Sequence, residues 1–167
     1  MPTNLELKIK VESHHKFRNI LTDIDADNIG VLNQKDAYYK VPDGLLKLRI
    51  ENGKESLIFY RRDEKGNNRW SDFDVLKFES DGGEEFFNKI FSIETIVEKR
   101  RELFIYDNTR IHLDEVKSLG FFVELETLVL KGKEEAKVRF ENIIKLLALD
   151  TSKQIRKSYR DLLLRSK

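Results

Sequence analysis

The strongest constraint in the sequence is an alternation of period two whose polar half is charged. Asn4–Val11 sets Leu5, Leu7, Ile9 and Val11 on one face and Asn4, Glu6, Lys8 and Lys10 on the other, as a β-strand with two unlike faces requires. Leu45–Glu51 repeats the pattern, with Lys47 and Arg49 against Leu46, Leu48 and Ile50. The stretch Thr109–Glu126 reads as two strands joined by a turn at Lys117–Gly120. Arg110, His112 and Asp114 share a face of the first strand, and Glu124 and Glu126 share a face of the second. Two carboxylates one residue apart on a strand point the same way and repel unless a cation lies between them, so the pair asks for a metal or a basic partner.

Strands of this kind fold in two ways, and the residues alone leave both open. Either the charged face is solvated, as in many antiparallel sheets, or the sheet closes into a barrel whose helices cover the outer apolar face. In a closed barrel, Glu6, Lys8, Lys10, Lys47, Arg49, Lys99, Arg101, Arg110, Asp114, Glu124 and Glu126 would line a wet cavity dense in both signs. Such a cavity suits a polyanion together with a divalent cation. Phosphate oxygens take Arg in bidentate fashion and Lys as a point charge, and carboxylates hold Mg²⁺ or Mn²⁺ that bridges to the phosphates.

The rest of the chain supplies further strands and the helices. Ser13 is placed as the N-cap of a helix to about Ile24, striped by Phe17, Ile20, Leu21 and Ile24. Ile29–Val41 follows as a strand with Gln34, Asp36, Tyr38 and Lys40 on its polar face. Pro42-Asp43-Gly44 and Asn52-Gly53 are turn signals on either side of Leu45–Glu51. Strands are predicted over Glu55–Arg62, Arg69–Glu79 and Ile93–Tyr106, with a loop at 63–68. A helix is predicted over Gly82–Phe91, capped by Asp81 with Glu84 in a capping box. Two more helices are expected, Lys133–Leu147 and one from about Ser152 carrying Ile155, Tyr159, Leu162 and Leu163. The expectation is an α+β fold with about eight antiparallel strands and four helices, residues 1–167 forming one domain.

Charge density matters more than the balance: 31 basic and 30 acidic residues leave a net charge of +1, so nothing points to nucleic acid. No apolar run is long enough to span a bilayer and the first residues do not resemble a signal peptide, so no membrane role is expected. The sequence has no cysteine, which excludes disulfides and thiolate metal sites and fits a cytoplasmic protein.

These residues resemble the triphosphate tunnel metalloenzymes, or CYTH-domain proteins, a family that includes class IV adenylate cyclases, thiamine triphosphatases and inorganic triphosphatases. Asn4-Leu-Glu6-Leu-Lys8 is similar to the N-terminal Glu-x-Glu-x-Lys signature, with Asn4 in place of the first Glu. Gln34-Lys-Asp36-Ala-Tyr38-Tyr39, Gly44-Leu-Leu-Lys47-Leu-Arg49 and Val97-Glu-Lys99-Arg-Arg101 resemble the family's next strands. Arg110-Ile-His-Leu-Asp114 through Glu124-Leu-Glu126 resembles its most recognisable block, and Ser158-Tyr159-Arg-Asp-Leu-Leu163 its C-terminal motif.

The resemblance implies a closed eight-stranded antiparallel tunnel, Mg²⁺ or Mn²⁺ dependence, and a triphosphate substrate such as ATP, thiamine triphosphate or tripolyphosphate. It assigns Glu6, Glu124 and Glu126 as metal carboxylates, with Asp114 an additional ligand or a group behind them. Lys8, Lys47, Arg49, Lys99, Arg101 and Arg110 are assigned to the triphosphate, and Arg61 with them, although its parity on the strand is ambiguous. Lys8, Arg49, Lys99 and Arg101 are the residues expected to act on the reacting phosphates. His112 reads as a hydrogen-bonded structural histidine and Tyr159 as a residue packing the last helix on the barrel end. Hydrolysis of an organic or inorganic triphosphate leads. A class IV-type cyclisation of ATP to cyclic AMP and pyrophosphate is the alternative, and a non-catalytic polyphosphate- or nucleotide-binding module is the third reading. Family members often form homodimers, which makes a homodimer possible here, although no stretch of the sequence marks an interface.

Overall fold

The charged faces close on themselves. In the computed structural model, which describes residues 2–63, 65–79 and 81–166, eight antiparallel strands form a closed barrel with four α-helices around it. The strands are β1 (Thr3–Val11), β2 (Asp27–Tyr39), β3 (Leu45–Glu51), β4 (Lys54–Arg62), β5 (Arg69–Lys77), β6 (Ile93–Tyr106), β7 (Thr109–Val116) and β8 (Gly120–Leu128). They run around the barrel in the order β1-β5-β4-β3-β2-β6-β7-β8, and β8 returns to pair with β1 along its length. The helices are α1 (His15–Asp23), α2 (Gly83–Ile90), α3 (Lys133–Leu146) and α4 (Tyr159–Arg165). None of the described helices is long and apolar enough to cross a membrane.

Two tight turns set the registers that matter. Asn52 (φ 48°) and Gly53 (φ 82°) join β3 to β4, and Asp107 (φ 47°) and Asn108 (φ 54°) join β6 to β7. Positive φ at both central residues matches the right-handed twist of the flanking strands, and Asn, Asp and Gly tolerate it best. Each turn therefore fixes which residues of its hairpin share a face.

The apolar core lies outside the barrel. Leu5, Leu7 and Ile9 of β1, Ile111 and Leu113 of β7, and Val123 and Leu125 of β8 pack against Phe17 and Leu21 of α1 and Phe140 and Ile143 of α3. A second cluster seats Phe87 of α2, together with Phe91, on Tyr39, Leu46 and Leu48. Burying the apolar outer faces of β1, β3, β7 and β8 under helices leaves their other faces pointing inward, where the charges are. One end of the interior is apolar: Tyr38, Tyr60, Val97, Val116 and Phe122 meet Tyr159 and Leu163 of α4 there.

Three helix starts differ from the sequence expectation; at α1 the N-cap position is His14 rather than Ser13, with no side-chain cap. The last helix does not start at Ser152; a 3₁₀ turn at Thr151–Lys153 is followed by irregular chain, and α4 begins at Tyr159. The Ile155 N–H bonds the Lys8 carbonyl at 2.8 Å, which holds this segment along β1. The true cap is Ser158, whose hydroxyl accepts from the Asp161 N–H while the Asp161 carboxylate accepts from the Ser158 N–H, a reciprocal capping box. At α2 the cap position is Gly82 at φ 107°, with no side-chain cap from Asp81. Glu55, reaching across from β4, accepts instead from the N–H groups of Gly83 (2.6 Å) and Glu84 (3.1 Å).

Candidate active site

Inward-facing residues come from all eight strands, and their registers sort them by sign. On β2, Asp36 lies directly opposite Arg49 of β3, and the neighbouring pairs set Lys47 and Lys99 beside it. Its carboxylate is fully buried and accepts from Arg49 at 2.8 Å through both oxygens, from Lys47 at 2.9 Å and from Lys99 at 3.1 Å. Burial would raise this carboxyl, but Arg49, Lys47 and Lys99 hold it well below the usual carboxylate range. One anion cannot neutralise three cations, so the cluster keeps a surplus of positive charge facing the cavity. Burial, with Arg49 adding to it, lowers Lys47 to about 7, and burial also lowers Lys99. An anion entering here restores the charge that burial removes.

The opposite wall is acidic. Glu6 of β1 is directly opposite Glu126 of β8, and Lys8 directly opposite Glu124. Like charges facing each other across a ladder destabilise it, and here both carboxylates are inside the barrel. Burial pushes the Glu6 carboxyl above its ordinary value, with Glu126 and Glu124 adding to that push against Arg62 and Arg69. Arg62 donates to Glu6 at 3.2 Å, and the Arg69 guanidinium is 3.7 Å from the same oxygen. Lys8 stands 3.9 Å from Glu124 and donates to the Lys157 carbonyl at 3.1 Å. Burial lowers it to about 8 in spite of Glu124.

Between the walls sits a linked set. Arg101 is bidentate to Asp114 at 2.7 Å for both bonds and reaches Glu124 at 3.2 Å. The Tyr159 hydroxyl donates to Asp114 at 2.8 Å. His112 is fully buried beneath the carboxylates, its ring nitrogens 3.9 Å from Glu124 and 3.8 Å from Glu126, without a hydrogen-bond partner. Burial, reinforced by Arg101, lowers its pKa against the pull of Glu126 and Glu124, which favours the neutral imidazole.

The residues present fit a hard divalent cation. Glu6, Glu124 and Glu126, with the Asn4 amide oxygen beside them on β1, present oxygen donors to one cavity, and their mutual repulsion favours a cation there. His112, Asp114 and Glu124 also place ligating atoms within 4.8 Å of one another. In that set Asp114 is already engaged by Arg101 and Tyr159, which places it behind the ligands.

Together these side chains line a cavity of about 850 Å³. Of the residues that the sequence pattern places in the cavity, Lys10, which is exposed, and Asp114, held behind it by Arg101, do not line it, while Glu6, Lys8, Lys47, Arg49, Lys99, Arg101, Arg110, Glu124 and Glu126 all reach it. Arg61 does not. Tyr60 and Arg62 are the inward residues of β4, so Arg61 points outward, pairing with Asp43 at 2.8 Å with more than half of its side chain exposed. Arg62 takes the place assigned to Arg61. Its neighbour in sequence is also Arg, so the strand's parity alone could not choose between them. Asp36 and Arg69 carried no role in the sequence reading, because their partners lie on other strands and only the registers bring them together. The structural reading of His112 holds for its burial and not for its hydrogen bonds.

Residues 2–159 match the family model of the CYTH domain. The chain belongs to the CYTH domain family. A Methanocaldococcus jannaschii protein named "Putative adenylate cyclase" is 27% identical over 170 residues, covering 95% of this chain and 97% of that protein. A solved structure from Pyrococcus horikoshii superposes with a TM-score of 0.81 at 25% identity, covering 95% of this chain and 98% of its own. A Hippeastrum protein described as a "putative adenylyl cyclase" that reveals a dominant triphosphatase activity superposes with a TM-score of 0.72, covering 100% of this chain and 97% of its own. Its 14% identity makes that a likeness of fold. Eight strands closed around a charged interior are thus the CYTH tunnel seen in this chain.

Proposed function

We propose that this CYTH protein is a metal-dependent phosphoryl-transfer enzyme that hydrolyses an organic or inorganic triphosphate inside the tunnel, residues 1–167 forming one such domain. The observation that carries the reading is the opposition of the two walls. Lys8, Lys47, Arg49, Arg62, Lys99 and Arg101 converge on a cavity whose other side is Glu6, Glu124 and Glu126. A triphosphate meets the cations, and Mg²⁺ or Mn²⁺ on the carboxylates supplies Lewis-acid charge neutralisation at the phosphate oxygens.

The chain's own part is positioning and electrostatics, which dominate phosphoryl transfer. Arg49, locked on Asp36, and Arg101, locked on Asp114, are held at fixed places with N–H groups facing the cavity. Lys47, lowered to about 7 by burial, gains a proton as the anion arrives, so binding and protonation reinforce each other, and Lys99 and Lys8, also lowered by burial, face the same anion. A water attacks the terminal phosphorus in line. A new P–O bond forms, the bridging P–O bond breaks, and the departing diphosphate oxygen takes its charge toward the basic wall. The absence of cysteine fits work in the cytoplasm.

A second reading, cyclisation of ATP, is favoured by the name of the M. jannaschii relative. Incubation with tripolyphosphate, thiamine triphosphate and ATP, each with Mg²⁺ and with Mn²⁺, separates the two. Release of inorganic phosphate is the expected result. Cyclic AMP with pyrophosphate would replace the proposal by cyclisation, and binding without turnover would replace it by a non-catalytic module.

A further inference from the structure

The ionic interior and the apolar end of the barrel meet at one residue, Tyr159. It is the first residue of α4, and the Ser158 capping box fixes the backbone there. Its ring packs edge-on against Phe122, 5.0 Å between centroids. Packing of that kind asks only for a phenyl ring, and a buried hydroxyl costs stability unless it is bonded. This hydroxyl is bonded, and to a charged partner. It donates to Asp114 Oδ2 at 2.8 Å, the same oxygen that accepts from Arg101 at 2.7 Å. Burial, with Asp114 beside it, holds the phenol well above its ordinary pKa, so it remains a donor.

That bond bears on Arg101. The nitrogen of Arg101 that bonds Asp114 Oδ2 also reaches the Glu124 carboxylate at 3.2 Å, so two carboxylates compete for one guanidinium. The hydroxyl, arriving from α4 and not from the barrel wall, fixes the orientation of the Asp114 carboxylate and so keeps the guanidinium on it. The ring bears on two lysines. The Lys8 ammonium lies 4.2 Å from the ring centroid and the Lys99 ammonium 5.6 Å. Lys8 is on β1 and Lys99 on β6, strands that do not pair with each other. An aromatic face attracts a cation without neutralising it. A carboxylate in the same place would cancel the charge that an anion in the cavity needs.

We infer that Tyr159 is a positioning residue for the proposed phosphoryl transfer: its hydroxyl sets Arg101 through Asp114, and its ring sets Lys8 and Lys99. The inference rests on the reading that these cations meet a triphosphate. It gives the start of α4 a part in the reaction beyond closing the barrel end.

The test separates hydroxyl from ring. Tyr159→Phe removes the hydroxyl alone, and Tyr159→Leu removes both. Tripolyphosphate hydrolysis with Mg²⁺ is measured at a temperature well below the Tm of either variant. In Tyr159→Phe, kcat should fall about tenfold with KM within about twofold of wild type. In Tyr159→Leu, KM should rise about tenfold as well. Variants with lowered Tm but wild-type kcat and KM would overturn the inference and leave Tyr159 a packing residue. A second measurement needs no turnover: the Arg101 Nε–H signal in ¹⁵N NMR, identified by its loss in Arg101→Lys. Its exchange with water should be about tenfold faster in Tyr159→Phe, while the Arg49 Nε–H, bonded to Asp36, is unchanged. Equal Arg101 exchange in both proteins would overturn the inference. Wild type that releases no phosphate from any triphosphate, with the Arg101 signal responding as expected, would instead overturn the function proposed above.

Discussion

At the scale of single residues, the tunnel is held by a few buried ions that each face a surplus of the opposite charge. Asp36 is the clearest, with Arg49, Lys47 and Lys99 all bonded to one carboxylate. Removing one member of a buried ion cluster leaves uncompensated charge. Asp36→Asn is therefore expected to lose about 3 kcal/mol of stability in urea unfolding. Added tripolyphosphate should raise its Tm more than it raises that of the wild type, because the polyanion substitutes for the missing carboxylate. A wild-type urea midpoint, or equal ligand-induced shifts, would contradict that role. Lys47 gives a pH prediction. Its free-state pKa of about 7 lies well below the ordinary lysine value, and a bound anion raises it again. Proton uptake on binding is thus absent below the free pKa and grows above it, so affinity for tripolyphosphate should fall as pH rises from 7 to 9. Lys47→Arg, which stays charged, should flatten that fall; an unchanged slope would remove Lys47 from the phosphate wall. Lys47 was legible from the alternation of its own strand, whereas the importance of Asp36 could not be read from its immediate neighbours. Asp36 sits among Gln34, Lys35 and Ala37, and its partners lie on β3 and β6.

At the scale of elements, what was legible in the sequence is what period and turn chemistry determine locally. β3 has the predicted bounds, Leu45–Glu51, because alternating residues lie between two strong turn signals. β6 likewise runs Ile93–Tyr106 as expected. The errors lie where a distant contact overrides a local pattern. Ile155, Tyr159 and Leu162 have helical spacing, yet residues 154–157 are not helical: Ile155 bonds Lys8 of β1, and Arg69 of β5 donates to its carbonyl. α2 is capped by Glu55 from another strand, so its own upstream Asp81 was misleading. α4 is short and leans on its capping box and on Tyr159, which sits over Lys8 with its ring centre 4.2 Å from the ammonium. Ser158→Ala should cost about 1 kcal/mol and loosen this end of the barrel first. Limited proteolysis should then cut near residues 154–166 faster than in the wild type, while amide exchange within β7 and β8 stays slow. Uniform acceleration across the barrel would show that α4 is not an independently opening element.

At the scale of the whole molecule, one inversion explains both fold and site. The apolar faces of the strands are buried outward under α1, α2 and α3, so the interior is free to carry charge. Closure then brings residues distant in sequence, such as Glu6 and Glu126, into direct opposition. That opposition is unfavourable for an empty protein and favourable for one that binds a cation there, and it is the centre of the functional account. The most direct measurement is metal-dependent phosphate release from tripolyphosphate by the wild type and by Glu124→Ala/Glu126→Ala, with folding of the variant checked by circular dichroism. The account predicts that the variant keeps the barrel and loses activity by about a hundredfold or more, with no rescue by excess Mg²⁺ or Mn²⁺. A folded variant with full metal-dependent activity would contradict it.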